Sequence, residues 1–374
     1  MMPIRRLSIR LLPLVLLACL GRPAAATTQA QLQHTLSAYL SASALDGASV
    51  GCEVRTLQDE AVFKYHADHP LIPASNVKLL VSATAVDLFG PGYVFGGQLW
   101  SEVAPDKNRR VAGNVYLCGC ANPDGSQSVI WPLAQALAAK GVKVIAGDVV
   151  STGPLAAGDR DHGLKSAQRA VLGQVGIHVE GKPREGFCPR APVELASCNS
   201  VSLAEYLRQT NKASENREAQ CMLDAMLATY SDPTDPDPDF LLRYWSLQGL
   251  DTNGLHLDDG SGYSRDSRLS PAFLDAVLLR MAATPAEYEV LSHSFPTAGV
   301  DGTLQDRMQG TAAEGRVRAK TGTLTGVSCL SGYVERGGQP RLVFSLLING
   351  FSSLSAARHV EDQVAIALAE WTQE

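Results

Sequence analysis

The chain has 374 residues, of which 45% are hydrophobic and 19% charged, a balance that supports a folded core and excludes an intrinsically disordered chain. The net charge is −6, which argues against nucleic acid, whose phosphates require a basic face. The length fits two domains, or one large domain carrying an insertion.

Residues 1–26 open with Arg5, Arg6 and Arg10, run through an apolar stretch from Leu11 to Leu20 broken by Pro13, and end in Ala24-Ala25-Ala26. This is the three-part pattern of a secretory signal, and its apolar run is short of the ~20 residues that cross a bilayer. Export to the periplasm is therefore expected. Leu16-Leu17-Ala18-Cys19 carries the alternative of a lipid attached at Cys19. Without residues 1–26 the chain loses Arg5, Arg6, Arg10 and Arg22 and no acid, so the net charge moves from −6 to −10.

Residues 28–45 have helical spacing, with Leu32, Leu36, Leu40 and Leu45 on the apolar stripe. Ala48 to Leu57 and Ala61 to Tyr65 read as two strands around the turn Gln58-Asp59-Glu60. A buried helix is predicted over Asn76 to Phe89, after Pro73 and before Gly90-Pro91-Gly92. The middle changes texture: Gly113 to Leu117 and Val142 to Val150 read as strands, Pro132 to Lys140 as a helix, and residues 153–192 as a loose Gly-, Pro- and charge-rich segment. Ser202 to Gln209 and Arg217 to Thr229 are helical. Arg316 to Leu324, Val327 to Glu335 and Arg341 to Asn349 read as strands, the last two joined across Arg336-Gly337-Gly338. Ser355 to Trp371 closes the chain with helical spacing. The economical assembly is one five-stranded antiparallel sheet built from both chain ends, with terminal helices on one face and an all-helical lobe on the other. On this reading residues 27–92 and 197–374 form the main domain and 93–196 an inserted subdomain.

Seven cysteines follow Cys19: Cys52, Cys118, Cys120, Cys188, Cys198, Cys221 and Cys329. Export permits disulfides, and the odd number leaves at least one thiol free. Cys118-Gly119-Cys120 lacks Cys-x-x-Cys spacing and a matching histidine pair, so bridged or buried cysteines are favoured over a metal site. His66-Ala67-Asp68-His69 reads as a surface connection, Asp258-Asp259-Gly260-Ser261-Gly262 as a structural turn without a calcium loop's ligand spacing, and the Asp/Pro stretch 232–239 as a solvated loop. No metal or cofactor is expected.

Three short motifs carry the chemistry. Ser75 and Lys78 are spaced i, i+3 at a helix start, which puts them on one face. A serine hydroxyl needs a base to become a nucleophile, and a desolvated lysine can be that base. Lys320-Thr321-Gly322, followed by Thr323, lies in a predicted strand, where a cation can bind a carboxylate and a glycine admits a substrate backbone. Ser75 N–H and Thr323 N–H would then form an oxyanion hole. For the third motif, Ser197-Cys198-Asn199 and Ser214-Glu215-Asn216 both read Ser-x-Asn; the second, which precedes a clean helix, is favoured.

Ser-x-x-Lys, Ser-x-Asn and Lys-Thr-Gly in this order resemble the signature of penicillin-binding proteins and serine β-lactamases. The wider context resembles the D-alanyl-D-alanine carboxypeptidase/endopeptidases of the penicillin-binding protein 4 type, peptidase family S13. The matching stretches are Pro70 to Leu80, Ser202 to Glu205 leading to Lys212 to Asn216, Asp259 to Arg265, Ala298 to Leu304 and Ala319 to Leu324. The resemblance implies an α+β fold of the penicillin-binding protein/serine β-lactamase kind, with an inserted small α/β subdomain. It implies Ser75 as nucleophile, Lys78 as base, Ser214 and Asn216 as relay and orienting pair, and Lys320 with Thr321, Gly322 and Thr323 at the substrate carboxylate. It also implies peptidoglycan stem peptides ending in D-Ala-D-Ala as substrates and β-lactams as inhibitors. The chain departs from the family in a shortened insertion, with 139 positions between Ser75 and Ser214, and in Glu215, Gln220 and Cys329. A serine β-lactamase and a non-catalytic penicillin-binding wall sensor or scaffold are the alternative readings.

Overall fold

The computed structural model describes residues 27–118, 127–151, 163–186, 192–230 and 239–371. The signal-like segment with Cys19, together with Cys120, Cys188 and the acidic stretch 232–238, lies outside them. Among the described residues no helix is long and apolar enough to cross a membrane.

The first helix, α1 (Gln29–Leu40), starts at a reciprocal cap: Gln31 N donates to Thr28 Oγ1 and Thr28 N donates back to Gln31 Oε1 at 2.8 Å. Strands β1 (Ser49–Thr56) and β2 (Ala61–Tyr65) form the first hairpin, and α2 (Val77–Phe89) follows. Ten consecutive α2 residues from Val77 to Val86 are buried, so the helix is sheathed on all sides rather than amphipathic.

A second unit follows. It contains β3 (Val94–Ser101), β4 (Arg110–Val111), β5 (Val115–Cys118), α3 (Gln127–Ala139), β6 (Val144–Ile145), β7 (Val149–Ser151), α4 (Gly163–Gln174), β8 (His178–Val179), β9 (Pro183–Glu185) and β10 (Val193–Ser202). One sheet runs in the order β10-β3-β5-β7-β9 and a parallel three-stranded sheet in the order β4-β6-β8. Leu99, Val115, Leu133, Leu137, Ile145 and Leu172 fill the core under α3 and α4.

Three sequence expectations need correction here. The strand expected over Val142 to Val150 is two short strands in different sheets, because the chain turns at Gly147, where a Cβ would lie 2.6 Å from Gly113 backbone. The segment expected to be loose holds α4, β8 and β9; its glycines and prolines punctuate short elements rather than exclude them. The boundary expected at residue 197 falls inside β10, which pairs with β3 from Val193↔Ser101 to Ser202↔Val94. The second unit therefore closes at Ser202, whose Oγ then caps the next helix by accepting from Glu205 N.

The chain returns through α5 (Leu203–Ala213), α6 (Asn216–Tyr230), α7 (Phe240–Leu247), α8 (Pro271–Ala282) and α9 (Pro285–Ser294), which with α2 make the helical lobe. It ends in β11 (Val317–Leu324), β12 (Val327–Arg336), β13 (Gln339–Asn349) and α10 (Leu354–Glu370). The main sheet is antiparallel in the order β11-β12-β13-β1-β2, with Ser49↔Asn349 joining the two chain ends. The helices α1 and α10 bury Leu32, Leu36, Val360 and Val364 on one face, while α8 covers β1, β12 and β13 on the other. This leaves β11 as the edge strand, facing the start of α2.

Candidate active site

Ser75 lies in a single 3₁₀ turn, Ala74–Asn76, that feeds α2. Ala74 takes a left-handed backbone, φ +46°, which a residue with a Cβ adopts at a cost. Gly262 (φ +75°) presses on this turn so closely that a Cβ there would sit 1.8 Å from Ala74 O. From below, buried Asn76 donates through Nδ2 to Ser331 Oγ of β12 at 2.7 Å. The turn is thus clamped between a loop and the sheet, with Ser75 half-buried at its tip.

One helical turn on, Lys78 is fully buried. Its Nζ lies 2.7 Å from Ser75 Oγ, 2.8 Å from Asn216 Oδ1 and 2.6 Å from Ser261 O. An ammonium has three N–H donors, and each has one acceptor here. Burial lowers the Lys78 pKa to about 8, against the opposing pull of the Asp259 and Glu215 carboxylates. Loss of one proton leaves a lone pair among the same three groups, and the Ser75 hydroxyl is the one of the three that has a proton to give.

The other side of the cleft is built from β11 and the α5–α6 corner. Ser214 terminates α5 in a left-handed conformation, φ 59°, which turns its side chain back into the cleft. Its Oγ accepts from Lys320 Nζ at 2.9 Å, and Lys320 also donates to Thr321 O at 2.9 Å. Lys320 is completely buried, and burial first, then the Lys78 charge, hold it well below the usual lysine range. Ala319 N donates to Pro296 O beyond the sheet edge. Strand alternation puts the Thr321 and Thr323 N–H groups on that same edge, so Thr323 N–H and Ser75 N–H can converge on one oxyanion. Gly322 is required by contact: a Cβ would lie 2.8 Å from Pro73 O.

The structure therefore brings Ser75, Lys78, Ser214, Asn216, Lys320, Thr321, Gly322 and Thr323 to one cleft. It does not bring Ser197 there. That serine is exposed on β10 and donates to Glu194 Oε1 at 2.8 Å. The four cysteines whose side chains are described, Cys52, Cys198, Cys221 and Cys329, are free thiols.

Several groups that serve the site carry no motif of their own. Asp259 accepts from Ser261 N at 2.7 Å, from Ser264 N at 2.6 Å and from Gly262 N, which folds the turn that presents Ser261 O to Lys78. Gln220 accepts from Gly260 N at 2.8 Å and donates to Asp224, tying that turn to α6. Thr303 Oγ1 lies 2.6 Å from Thr321 Oγ1. Lys212 holds both Asp301 oxygens at 2.7 Å, and Asp301 accepts from Thr297 N, which fixes the loop that carries Thr303. The stretches Asp259 to Arg265 and Ala298 to Leu304 are visible in the sequence as Gly-rich loops, but only their folded contacts give them roles.

A sequence model described as the D-Ala-D-Ala carboxypeptidase 3 (S13) family matches residues 32–164 and 159–371. A D-alanyl-D-alanine carboxypeptidase of Actinomadura sp. (strain R39) is 29% identical over 487 aligned positions, covering 97% of this chain and 89% of that one. Those 487 positions exceed the 374 residues here, so the relative holds segments that this chain lacks. Among solved structures, penicillin-binding protein 4 (dacB) of Haemophilus influenzae superposes with a TM-score of 0.67 at 20% identity, covering 91% of this chain and 98% of its own. The predatory peptidoglycan endopeptidase Bd3459 of Bdellovibrio bacteriovorus superposes with a TM-score of 0.57 at 16% identity, covering 84% and 90%. These two likenesses establish the fold: a five-stranded antiparallel sheet with helices, and additional mixed sheets.

Proposed function

The chain belongs to the S13 family of D-Ala-D-Ala carboxypeptidases, and from that premise we propose how its residues divide the work of a serine-type D-Ala-D-Ala carboxypeptidase. The carrying observation is Lys78 Nζ at 2.7 Å from Ser75 Oγ in a site where burial lowers the lysine toward neutrality. Ser75 attacks the carbonyl of the penultimate D-alanine while Lys78 takes the hydroxyl proton. The N–H groups of Ser75 and Thr323 hold the oxyanion. Ser214, bonded to Lys320, passes its proton to the departing D-alanine amine and regains one from Lys78, so the C–N bond breaks to leave an ester on Ser75 and Lys78 is neutral again. Water, activated by the same lysine, then hydrolyses the ester. Asn216 holds Lys78 in line and offers its amide to the substrate backbone. Thr321 and Thr323 receive the terminal carboxylate.

The natural substrates on this reading are peptidoglycan stem peptides ending in D-Ala-D-Ala, met in the periplasm after removal of residues 1–26. Cleavage of crosslinked muropeptides is a second activity of the same centre. β-Lactams acylate Ser75 because they imitate the acyl-D-Ala-D-Ala end; complexes of two structural relatives with β-lactams support this. The test is labelling of the mature protein by a fluorescent penicillin, with D-alanine release from a pentapeptide measured alongside. The expected result is a stable label on the protein and none on Ser75→Ala. Persistent labelling of Ser75→Ala overturns the nucleophile assignment. Rapid penicillin turnover without a stable adduct moves the protein to the β-lactamases, and labelling without D-alanine release moves it to the binding proteins.

A further inference from the structure

The catalytic lysines leave a charge unaccounted for. The substrate's carboxylate needs a cation at the β11 edge, yet Lys320 is buried, spends two donors on Ser214 Oγ and Thr321 O, and is driven toward neutrality by burial and by Lys78. A permanent charge lies beside that edge. Arg358, in the first turns of α10, is exposed and points Nη2 at Thr323 Oγ1, 3.4 Å away. A guanidinium stays charged at any working pH and presents a fork that suits a carboxylate.

The surroundings keep this arginine available. The two acids nearest it along the helix are Glu361 and Asp362, at i+3 and i+4, and both are taken by Arg307. Arg307 donates through Nε to Asp362 Oδ1 at 2.9 Å and through Nη2 to Glu361 Oε2 at 2.9 Å. Ser328 Oγ, opposite Thr323 in the β11–β12 register, closes the second Glu361 oxygen at 2.6 Å. Arg307 Nη2 also donates to Arg358 O at 3.3 Å, which fixes the backbone from which the free guanidinium extends. Arg358 itself makes no ion pair among the described residues. Beside it, the Thr303–Thr321 hydroxyl pair at 2.6 Å continues the row of donors begun by Thr323.

We propose that Arg358 is the charged recognition element for the leaving group's carboxylate, seated over the hydroxyls of Thr323, Thr321 and Thr303, and that Lys320 serves Ser214 instead. This rests on the carboxypeptidase reading above and assigns the leaving-group subsite within it. The ligand class is a D-amino acid leaving group with a free α-carboxylate.

The test compares two peptides that differ only at the end, one closing in D-alanine and one in D-alaninamide, with the wild type, Arg358→Gln and Arg358→Lys. Wild type is expected to prefer the acid. Arg358→Gln is expected to lose about 10- to 100-fold in kcat/KM on the acid, mostly through KM, and to lose little on the amide, so the preference collapses. Arg358→Lys is expected to recover part of it. Arg265, which donates to Thr325 O at 3.0 Å, is the control cation, and Arg265→Gln should keep the acid-to-amide ratio. Equal losses on acid and amide overturn the proposal, as does a wild type indifferent to amidation or a collapse produced by Arg265→Gln alone. A wild type that releases nothing from either peptide overturns the carboxypeptidase reading itself, which separates the two failures.

Discussion

The main sheet and the inserted unit are built to different standards. The main sheet has strands of 8 to 11 residues except β2, and β12 is buried along nine of its ten positions. The inserted unit pairs strands of two to four residues around a modest core, apart from β3 and β10. Every side chain of the candidate site comes from the first region and its helical lobe. The difference teaches that the chemistry is borne by the part with the most redundant packing, where a clamped 3₁₀ turn and a left-handed serine can be sustained, while the inserted unit is free to vary in length.

The sharpest break of that comparison is a pair of serines. Ser75→Ala should lower D-alanine release by about 10⁴-fold or more, and Ser197→Ala, its decoy on β10, should leave it unchanged; a comparable loss in Ser197→Ala would show that the inserted unit reaches the chemistry. Next in size is a pair of buried leucines. Leu80→Ala, at a fully buried position in α2, should cost about 2–5 kcal/mol in denaturant unfolding and reduce active protein. Leu137→Ala, equally buried in α3, should destabilise on the same scale yet leave the penicillin acylation rate of folded protein intact. If that rate falls as well, the two regions are coupled.

The pH response should belong to the first region alone. Lys78 acts as a base only when neutral, so acylation should rise about tenfold per pH unit below its pKa of about 8 and level off above it. A rate flat from pH 6 to 9 would remove Lys78 from the base role. Smaller still, Gln220→Ala should slow acylation by about tenfold through the loosened Gly260–Ser261 turn, with Gln220→Glu recovering the acceptor to the Gly260 N–H. Smallest of all is Arg110→Gln in the inserted unit. Its pair with Glu180 is exposed on both sides, and the unfolding midpoint should not move measurably.

The same contrast governs what the sequence reveals. Ser75/Lys78 and Lys320-Thr321-Gly322 are legible because each motif is contiguous and sits in an element with strong periodicity. Both hairpins and both terminal helices are legible for the same reason. The strand β3 is not, because Gly96-Gly97 argue against a strand. Yet a Cβ at Gly97 would lie 2.2 Å from Val129 Cγ1 of α3, and one at Gly96 would lie 2.3 Å from Cys198 O, so these glycines are the condition of its close packing. Two-residue strands such as β6 and β8 are too short to show any period. The role of Ser261 is illegible in principle, since its working atom is a carbonyl that every residue has. Thr303 and Arg358 lie 18 and 35 residues from their partners Thr321 and Thr323, and only tertiary packing puts them there.

The pairing of Ser49 with Asn349 also sets a schedule. The first strand of the main sheet finds its central neighbour only when the last strand exists, and β11, which supplies Lys320, pairs through β12 and β13. Such distant pairings close slowly, because the intervening loop must lose its freedom first. The inserted unit holds its own strand partners between Val94 and Ser202 and can assemble earlier. A growing or newly threaded chain therefore passes through a stage in which the insertion is folded and Ser75 has no opposite wall, so the hydrolase stays inert until β11, β12 and β13 arrive.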